Sequence, residues 1–170
     1  MNMNCRIRPA HPAEIETIRG IERASARRFV GVIDELVDDE PSPAAVLAAR
    51  MAGGGLWVAE CEGAPVAFVM FRPVEDGLYI EQIDVLPAFE RRRIGAALLD
   101  AAAERARAAG LARLTLSTFR DVLWNAPYYR RLGFVDIADE ALTAGLAQIR
   151  QEHVARGLDE SRRTFMARPL

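Results

Sequence analysis

The sequence lacks the features that mark three large classes of protein. No stretch approaches the roughly 20 apolar residues that a membrane span requires, so no membrane partner is expected. The net charge is −2, which argues against a general nucleic-acid-binding protein, since such proteins usually carry a positive excess. No apolar core follows the first four residues, so we expect no signal peptide and a cytoplasmic location.

Cysteine is scarce as well. Cys5 and Cys61 are the two cysteines, and they lie far apart in the sequence without the short spacing of a metal site. The sequence therefore predicts no metal site and a pair of reduced thiols, as is typical of cytosolic proteins.

The sequence does have an ordinary globular composition, with 51% hydrophobic and 27% charged residues. Its 170 residues suffice for one domain with a full core, and neither a repeat nor a low-complexity segment divides them. We therefore expect a single domain over residues 1–170.

The most informative stretch is a strand, loop and helix in the middle of the chain. Apolar alternation predicts a strand over Leu78–Val85, which Pro87 ends because proline cannot continue a ladder. Alanine and leucine at three- and four-residue spacing predict a helix over Ile94–Ala109, with Gly110 as its stop.

The loop between this strand and this helix is basic. Arg91, Arg92 and Arg93 stand directly before the helix, and Gly95 in its first turn would let a ligand approach the backbone. The first N–H groups of a helix lack intrahelical partners, and the helix dipole adds positive potential there. This loop therefore predicts an anion site.

The other elements place this motif in a sheet. Further strands are predicted at Cys5–Arg8, Leu56–Cys61, Pro65–Arg72, Ala112–Thr118, Phe134–Ala138 and Arg163–Arg168. Further helices are predicted from about Ala13, from Ser42 to before Gly53, and over Thr143–Arg156. Tight turns make the strands before the basic loop antiparallel, whereas the strand–helix–strand unit around it implies a parallel pair. The fold class is therefore α/β (α+β), with a central mixed sheet flanked by helices.

A second motif lies at Asn125–Phe134. Asn125 as N-cap and Pro127 in the first turn predict a short helix, and Gly133 ends it in a left-handed conformation. These structural roles account for every residue of the motif except Tyr129, which is either a core side chain or a functional one.

The basic loop resembles the acetyl-CoA site of the GNAT superfamily of N-acetyltransferases. The resemblance lies in Val85-x-Pro87 and in the following Arg-Arg-Arg-Ile-Gly-x-x-Leu-Leu. The family signature Gln/Arg-x-x-Gly-x-Gly/Ala falls on residues 90–95. Gly95 fits this signature, whereas Glu90 replaces its Gln or Arg and Arg93 replaces its first Gly.

The second motif resembles another signature of the same family, Asn…Tyr-x-x-x-Gly-Phe. Tyr129 stands four residues before Gly133 as the signature requires, whereas the gap between Asn125 and Tyr129 is shorter than usual. The two resemblances together cover about a third of the chain, from Leu78 to Phe134.

The resemblance implies a single GNAT-like domain that uses acetyl-CoA as cosubstrate and no metal. It implies acetyl transfer to the primary amine of a small molecule by direct attack. The backbone of two strand residues would hold the pantetheine arm, and the loop and helix start would hold the pyrophosphate. The implied cofactor-binding residues are Ile83, Val85, Arg91, Arg92, Arg93, Ile94, Gly95, Ala96 and Asn125.

The resemblance also implies two catalytic residues. A Glu in a similar Glu-x-x-x-Val-x-Pro setting takes the proton of the amine in related enzymes, and Glu81 matches it. Asp84 is the reserve candidate, although alternation along the strand points it to the opposite face. Tyr129 matches the general acid that protonates the leaving thiolate.

Two alternatives stay open for the function. One is a protein acyltransferase that modifies an N-terminus or a lysine. The other is a non-catalytic CoA-binding protein of the same fold, which the departures at Glu90 and Arg93 would suit. The acidic stretch from Phe29 to Glu40 would favour a cationic amine if it covers the acceptor. A homodimer is compatible with the sequence.

Overall fold

The structure is a computed structural model that describes residues 4–170. Its strands are β1 (Cys5–Pro9), β2 (Leu56–Cys61), β3 (Ala64–Val74), β4 (Gly77–Val85), β5 (Arg113–Phe119), β6 (Val135–Ile137) and β7 (Arg163–Pro169). Its α-helices are α1 (Ile15–Ala26), α2 (Ala44–Ala52), α3 (Ile94–Ala108), α4 (Ala126–Arg131) and α5 (Ala144–Ala155). The predicted helices and strands are therefore present, with bounds that differ from the prediction by at most two residues.

The strands form a mixed sheet in the order β1-β2-β3-β4-β5-β7-β6. β1 pairs with β2 and β2 with β3 in antiparallel register. β4 and β5 are parallel, with a register that runs from Gly77 opposite Arg113 to Ile80 opposite Leu116. β7 is antiparallel to both β5 and β6. The predicted mixed sheet with a parallel pair at the basic loop is confirmed.

The chain divides into two compact units. The first comprises the described residues up to Arg72 together with Glu81–Ala102, and the second comprises Pro73–Ile80 and Ala103–Leu170. The organisation as a single domain, expected from length alone, stays a prediction.

The first unit has a core between its two helices and its antiparallel strands. Its fully or nearly fully buried members are Ile18, Ile21, Leu47, Leu56, Val58, Phe68 and Met70. The first two lie three residues apart on α1 and therefore share one helix face. The shared core holds α1 and α2 against the same sheet face, so both helices present residues to the strands of this unit.

The second unit has a core that includes Tyr79, Leu146, Ile149 and Phe165. His153 lies beside it, stacked on the ring of Phe165, with Nδ1 2.8 Å from the Glu160 carboxylate. Burial lowers the pKa of His153. The ring stacking and this contact account for His153 as a buried structural residue of α5.

The two cysteines form a disulfide, so the expectation of reduced thiols is wrong. Cys5 on β1 lies directly opposite Cys61 on β2, and their Cα atoms are 4.2 Å apart. The bridge joins residues 56 positions apart in the sequence, and only the pairing of the two strands brings them together. The expected cytoplasmic location therefore loses the support that free thiols would have given it.

The start of α2 also differs from the prediction. The helix was predicted to begin at Ser42, but α2 begins at Ala44, and Pro43 occupies the N-cap position without a side-chain cap. Ser42 instead donates from its backbone N–H (3.0 Å) and its hydroxyl (3.2 Å) to the carboxylate of Glu22 on α1. These bonds connect the start of α2 to α1.

None of the helices in residues 4–170 combines the length and apolarity of a membrane span.

Candidate active site

The C-terminal half of β4 extends beyond its parallel partner. The β4–β5 register ends at Ile80, whereas β4 continues to Val85. Ile83 and Val85 are half-buried in this extension. The N–H of Leu86 donates to the carbonyl of Val66 at 2.8 Å, which fixes the end of the strand. The extension is therefore an ordered strand segment that continues past the parallel ladder.

The basic loop after β4 has the geometry of an anion site. Arg91 (φ 60°) and Arg93 (φ 61°) adopt left-handed conformations that turn the chain into α3. The N–H of Ala97 donates to the carbonyl of Arg93 at 3.0 Å, which opens the hydrogen-bond ladder of the helix. The N–H groups of Ile94–Ala96 precede this bond, as the first N–H groups of any helix do. The predicted anion site therefore has the expected local structure.

The three arginines of this loop supply its charge. Arg91, Arg92 and Arg93 are exposed, and the Arg92 guanidinium lies 5.2 Å from the centroid of the Phe89 ring. The conformation of Arg93 explains why glycine is usual at this signature position, since a left-handed residue carries a steric cost that glycine avoids.

Glu90, the other departure from the signature, forms an ion pair. Nε of Arg28 lies 3.2 Å from its carboxylate, and both side chains are about three-tenths exposed. Arg28 belongs to the 3₁₀ turn Arg27–Phe29, which follows α1. The negative charge in the loop therefore has a cationic partner, and this contact joins the loop to the end of α1.

Glu81 lies between two arginines. Arg50 on α2 binds its carboxylate in a bidentate manner, with Nε 2.5 Å from Oε1 and Nη2 3.1 Å from Oε2. Nε of Arg72 on β3 lies 3.1 Å from Oε1. Both oxygens of the predicted base therefore contact guanidinium groups.

Asp84 has a different environment on the same strand. The Ser25 hydroxyl of α1 donates to Oδ1 at 2.8 Å, and the Gln82 amide donates to Oδ2 at 2.6 Å. Burial raises the pKa of Asp84 to about 7, although both hydrogen bonds oppose the shift. Burial also raises the pKa of Glu22, whose charge adds to the shift at Asp84.

Sequence reasoning identified Asp84 but missed Ser25 and Glu22. Ser25 is only 3% exposed although it is polar, and Glu22 accepts both hydrogen bonds of Ser42. The sequence does show that Ser25, a polar residue, lies one turn after Ile21 on the helix face that carries Ile18 and Ile21. Such a position requires a partner, but the sequence does not show that the partner is Asp84.

The second motif lies in the other unit. The Asn125 side chain was expected to cap α4, but it makes no cap bond and instead accepts a hydrogen bond from the Thr118 hydroxyl at 2.9 Å. Asn125 therefore occupies the predicted N-cap position, but its side-chain oxygen accepts from a residue of β5 and not from the helix. Its carbonyl does accept from the N–H of Tyr129 at 3.0 Å. The cofactor role of Asn125 stays a prediction.

Tyr129 is half-buried and oriented by two aromatic neighbours. Its ring centroid lies 5.4 Å from that of Tyr128 and 5.7 Å from that of Phe134, both in edge-to-face geometry. Gly133 has φ 91° and ends the helix as predicted, and the Phe134 N–H donates to the Tyr129 carbonyl at 3.1 Å. The motif therefore fixes the ring of Tyr129.

The predicted residues thus form two sets, one in each unit. The first set contains Glu81, the strand end and the basic loop, and the second contains Asn125 and Tyr129. Residues 4–170 contain no group of three or more His, Cys, Asp or Glu side chains placed to hold a metal ion.

Comparison with known families identifies the chain. The profile of the Acetyltransferase (GNAT) family matches residues 20–134, which is more than half of the sequence and includes β4, the basic loop and α4. The chain belongs to this family.

Solved structures confirm the fold. The PaiA N-acetyltransferase from Thermoplasma acidophilum in complex with coenzyme A is similar, with a TM-score of 0.74, 15% identity and coverage of 99% of this chain and 100% of that one. The ribosomal-protein-S18-alanine N-acetyltransferase from Escherichia coli has a TM-score of 0.67, 19% identity and coverage of 98% and 94%. A GNAT family acetyltransferase from Brucella melitensis in complex with acetyl-CoA has a TM-score of 0.58, 24% identity and coverage of 79% and 84%.

Proposed function

We propose that the protein is an acetyl-CoA-dependent N-acetyltransferase that acts on the primary amine of a small molecule. The observation that carries the proposal is the strand end, basic loop and helix start from Glu81 to Ala96. Family membership supports it, and so do the similar structures that contain coenzyme A or acetyl-CoA.

In this proposal the chain binds acetyl-CoA with backbone groups and charge. The backbone of Ile83 and Val85 would pair with the pantetheine arm as an added strand, because β4 continues past its ladder with β5. The N–H groups of Ile94–Ala96 and the charges of Arg91–Arg93 would bind the pyrophosphate.

The chemistry requires an acid, a base and an oxyanion donor. An ammonium group has a pKa of about 10.4, so a carboxylate on β4 must accept a proton before the amine attacks the thioester carbonyl. The C–N bond then forms and the C–S bond breaks. Tyr129 would protonate the sulfur, and a backbone N–H near Val85 would stabilise the oxyanion.

Acidic side chains favour an amine as acceptor. Glu22 and Asp84 are carboxyl groups of the first unit that are partly shielded from water, and an ammonium group would complement them. The alternative acceptor, a protein N-terminus or lysine, is tested with the same assay when peptides are included in the screen.

The experiment combines binding with turnover. Calorimetry should show that acetyl-CoA binds the wild type and that Gly95→Val weakens binding at least tenfold, since the side chain would block the helix start. Gly20→Val is the matched control, because a Cβ at Gly20 on α1 meets no atom within 4 Å.

A screen of amines, amino acids, polyamines and peptides for thiol release then identifies the acceptor. The chain contains 22 arginines and no lysine, so self-acetylation on lysine cannot contribute to the signal.

A further inference from the structure

We propose that Asp84, held in place by Ser25, is the carboxylate that accepts the proton of the acceptor ammonium, and that Glu81 is a positioning residue. This inference rests on the proposed acetyl transfer and assigns a catalytic residue to it. The assignment departs from the strand position that the family resemblance favours, which is Glu81.

The geometry of Asp84 suits a proton acceptor. Its two oxygens accept one hydrogen bond each, from the Ser25 hydroxyl at 2.8 Å and the Gln82 amide at 2.6 Å. Each carboxylate oxygen can accept more than one bond, so capacity remains for a proton from the substrate. Ser25 is buried on α1 and Gln82 is half-buried on β4, so both donors come from ordered elements and fix the carboxylate plane.

The contacts of Glu81 suit a structural role that joins β4 to its neighbouring helix and strand. Arg50 contacts both of its oxygens, and Nε of Arg72 lies 3.1 Å from Oε1. A proton on Glu81 would remove the negative charge that two guanidinium groups contact, and so would weaken charge-assisted hydrogen bonds that are among the stronger contacts in proteins. Glu81 therefore joins β4 to α2 and β3 and supports the strand on which Asp84 lies.

The charged groups around Asp84 adjust its affinity for a proton. Glu22 on α1 raises the pKa of Asp84, and Arg28 after α1 lowers it. Burial is the largest influence and brings the pKa to about 7, where a base can both accept a proton and release it near neutral pH.

The proton balance of the step is complete. One proton moves from the ammonium group to Asp84, and the neutral amine forms the C–N bond to the acetyl carbon. The C–S bond breaks, and the second proton that the nitrogen loses ends on the thiolate sulfur. Asp84 then releases its proton to water, so the reaction yields the amide, the free thiol and one proton.

The test compares pH profiles of kcat/KM, which report the ionisation of the free enzyme. In the wild type, kcat/KM should rise with pH around pH 7, because Asp84 must be ionised; this rise is the acidic limb of the profile. Asp84→Asn should lower kcat/KM about 10²-fold or more and remove this limb. Glu81→Gln should lower kcat/KM less than Asp84→Asn and leave the limb where it is.

Two further variants separate catalysis from structure. Ser25→Ala removes a bond to the carboxylate, so it should move the limb to higher pH by about half a unit to one unit. Glu22→Gln removes a neighbouring negative charge, so it should move the limb to lower pH. Ser25→Thr keeps a hydroxyl and should restore the wild-type limb. If Asp84 had only a structural role, Ser25→Ala and Glu22→Gln would not move the acidic limb in opposite directions.

The outcomes distinguish this inference from the proposed function. An acidic limb that survives in Asp84→Asn and disappears in Glu81→Gln would overturn the inference and leave the acetyltransferase intact. An acidic limb that stays at the wild-type pH in both Ser25→Ala and Glu22→Gln would also overturn the inference, even if Asp84→Asn fails to fold. A wild type that binds no acetyl-CoA and acetylates no amine would refute the proposed function itself.

Discussion

The Arg50 guanidinium of α2 binds both oxygens of the Glu81 carboxylate of β4, with Nε 2.5 Å from Oε1 and Nη2 3.1 Å from Oε2. The Glu81 side chain is only 15% exposed, and Arg72 adds a second cation at 3.1 Å. A bidentate pair of this kind restrains the strand, because both partners are shielded from water and fixed in direction. The middle of β4 is therefore tied to the helix layer of its own unit.

Replacing Glu81 tests how much this contact stabilises the fold. Glu81→Gln should lower the free energy of unfolding by about 1–3 kcal/mol, since two half-buried guanidinium groups lose a charged partner. Denaturant unfolding measures the change. Asp139→Asn is the control, because its pair with Arg150 is exposed and 3.4 Å long, and it should change stability by less than about 1 kcal/mol. Equal losses in both variants would contradict a tethering role for Glu81.

The left-handed conformation of Arg93 gives a second prediction. Arg93→Gly should leave the stability of the free protein unchanged or raise it by up to about 1 kcal/mol, because glycine adopts this conformation without a steric cost. Arg92→Gly, which removes the same charge at a residue without positive φ, should lower stability. Thermal unfolding of the two variants provides the comparison, and a greater loss in Arg93→Gly would show that the loop does not require this conformation.

The same two variants also separate charge from backbone in cofactor binding. Each removes one positive charge, so each should flatten the salt dependence of acetyl-CoA affinity to a similar extent if both side chains pair with phosphate. A tighter complex in Arg93→Gly alone would mean that the glycine of the family signature is what the loop prefers. Calorimetry at two salt concentrations distinguishes these results.

Local patterns predicted the elements around the site well. Pro87 ended β4 and Gly133 ended α4 where the structure ends them, because proline and glycine act on the backbone of their own position. The basic loop also followed from adjacent residues. The parallel β4–β5 pair followed from the strand–helix–strand order, which constrains topology without knowledge of any side-chain contact.

Contacts between distant residues could not be predicted in this way. Ser25 meets Asp84 across 59 positions, and Arg50 meets Glu81 across 31. Asn125 was expected to cap its own helix, but a strand hydroxyl seven residues earlier binds its side chain. In each case a partner that only the folded chain brings close decides the role of the residue.

The disulfide gives a third prediction. Reduction, or Cys5→Ser, should lower the free energy of unfolding by about 2–4 kcal/mol, because the bridge closes a long loop between β1 and β2. Unfolding with and without a reductant measures the effect. The Cys5→Ser variant serves as the control, since reductant should not change its stability. An identical unfolding midpoint for the oxidised and reduced wild type would contradict the prediction.

The proposed role of Tyr129 as general acid gives the fourth prediction. Tyr129→Phe keeps the ring that packs against Tyr128 and Phe134 and removes only the hydroxyl, so folding and CoA affinity should hardly change. A phenol of pKa ~10 is protonated at neutral pH, and its loss should lower turnover on the order of 10²-fold or more. Steady-state kinetics of Tyr129→Phe and Tyr128→Phe measure this. Low turnover in Tyr128→Phe together with normal turnover in Tyr129→Phe would assign the general acid to Tyr128. Normal turnover in both variants would show that the thiolate leaves without a general acid.

The central claim is acetyl transfer from acetyl-CoA to an amine, and product analysis tests it most directly. The wild type should be incubated with acetyl-CoA and the best acceptor of the screen, with free thiol and acetylated amine quantified in the same samples. We expect the two products to appear in equal amounts, to require the amine, and to fall about 10²-fold in Tyr129→Phe. Thiol release without acetylated amine, or no release with any amine or peptide, would contradict it.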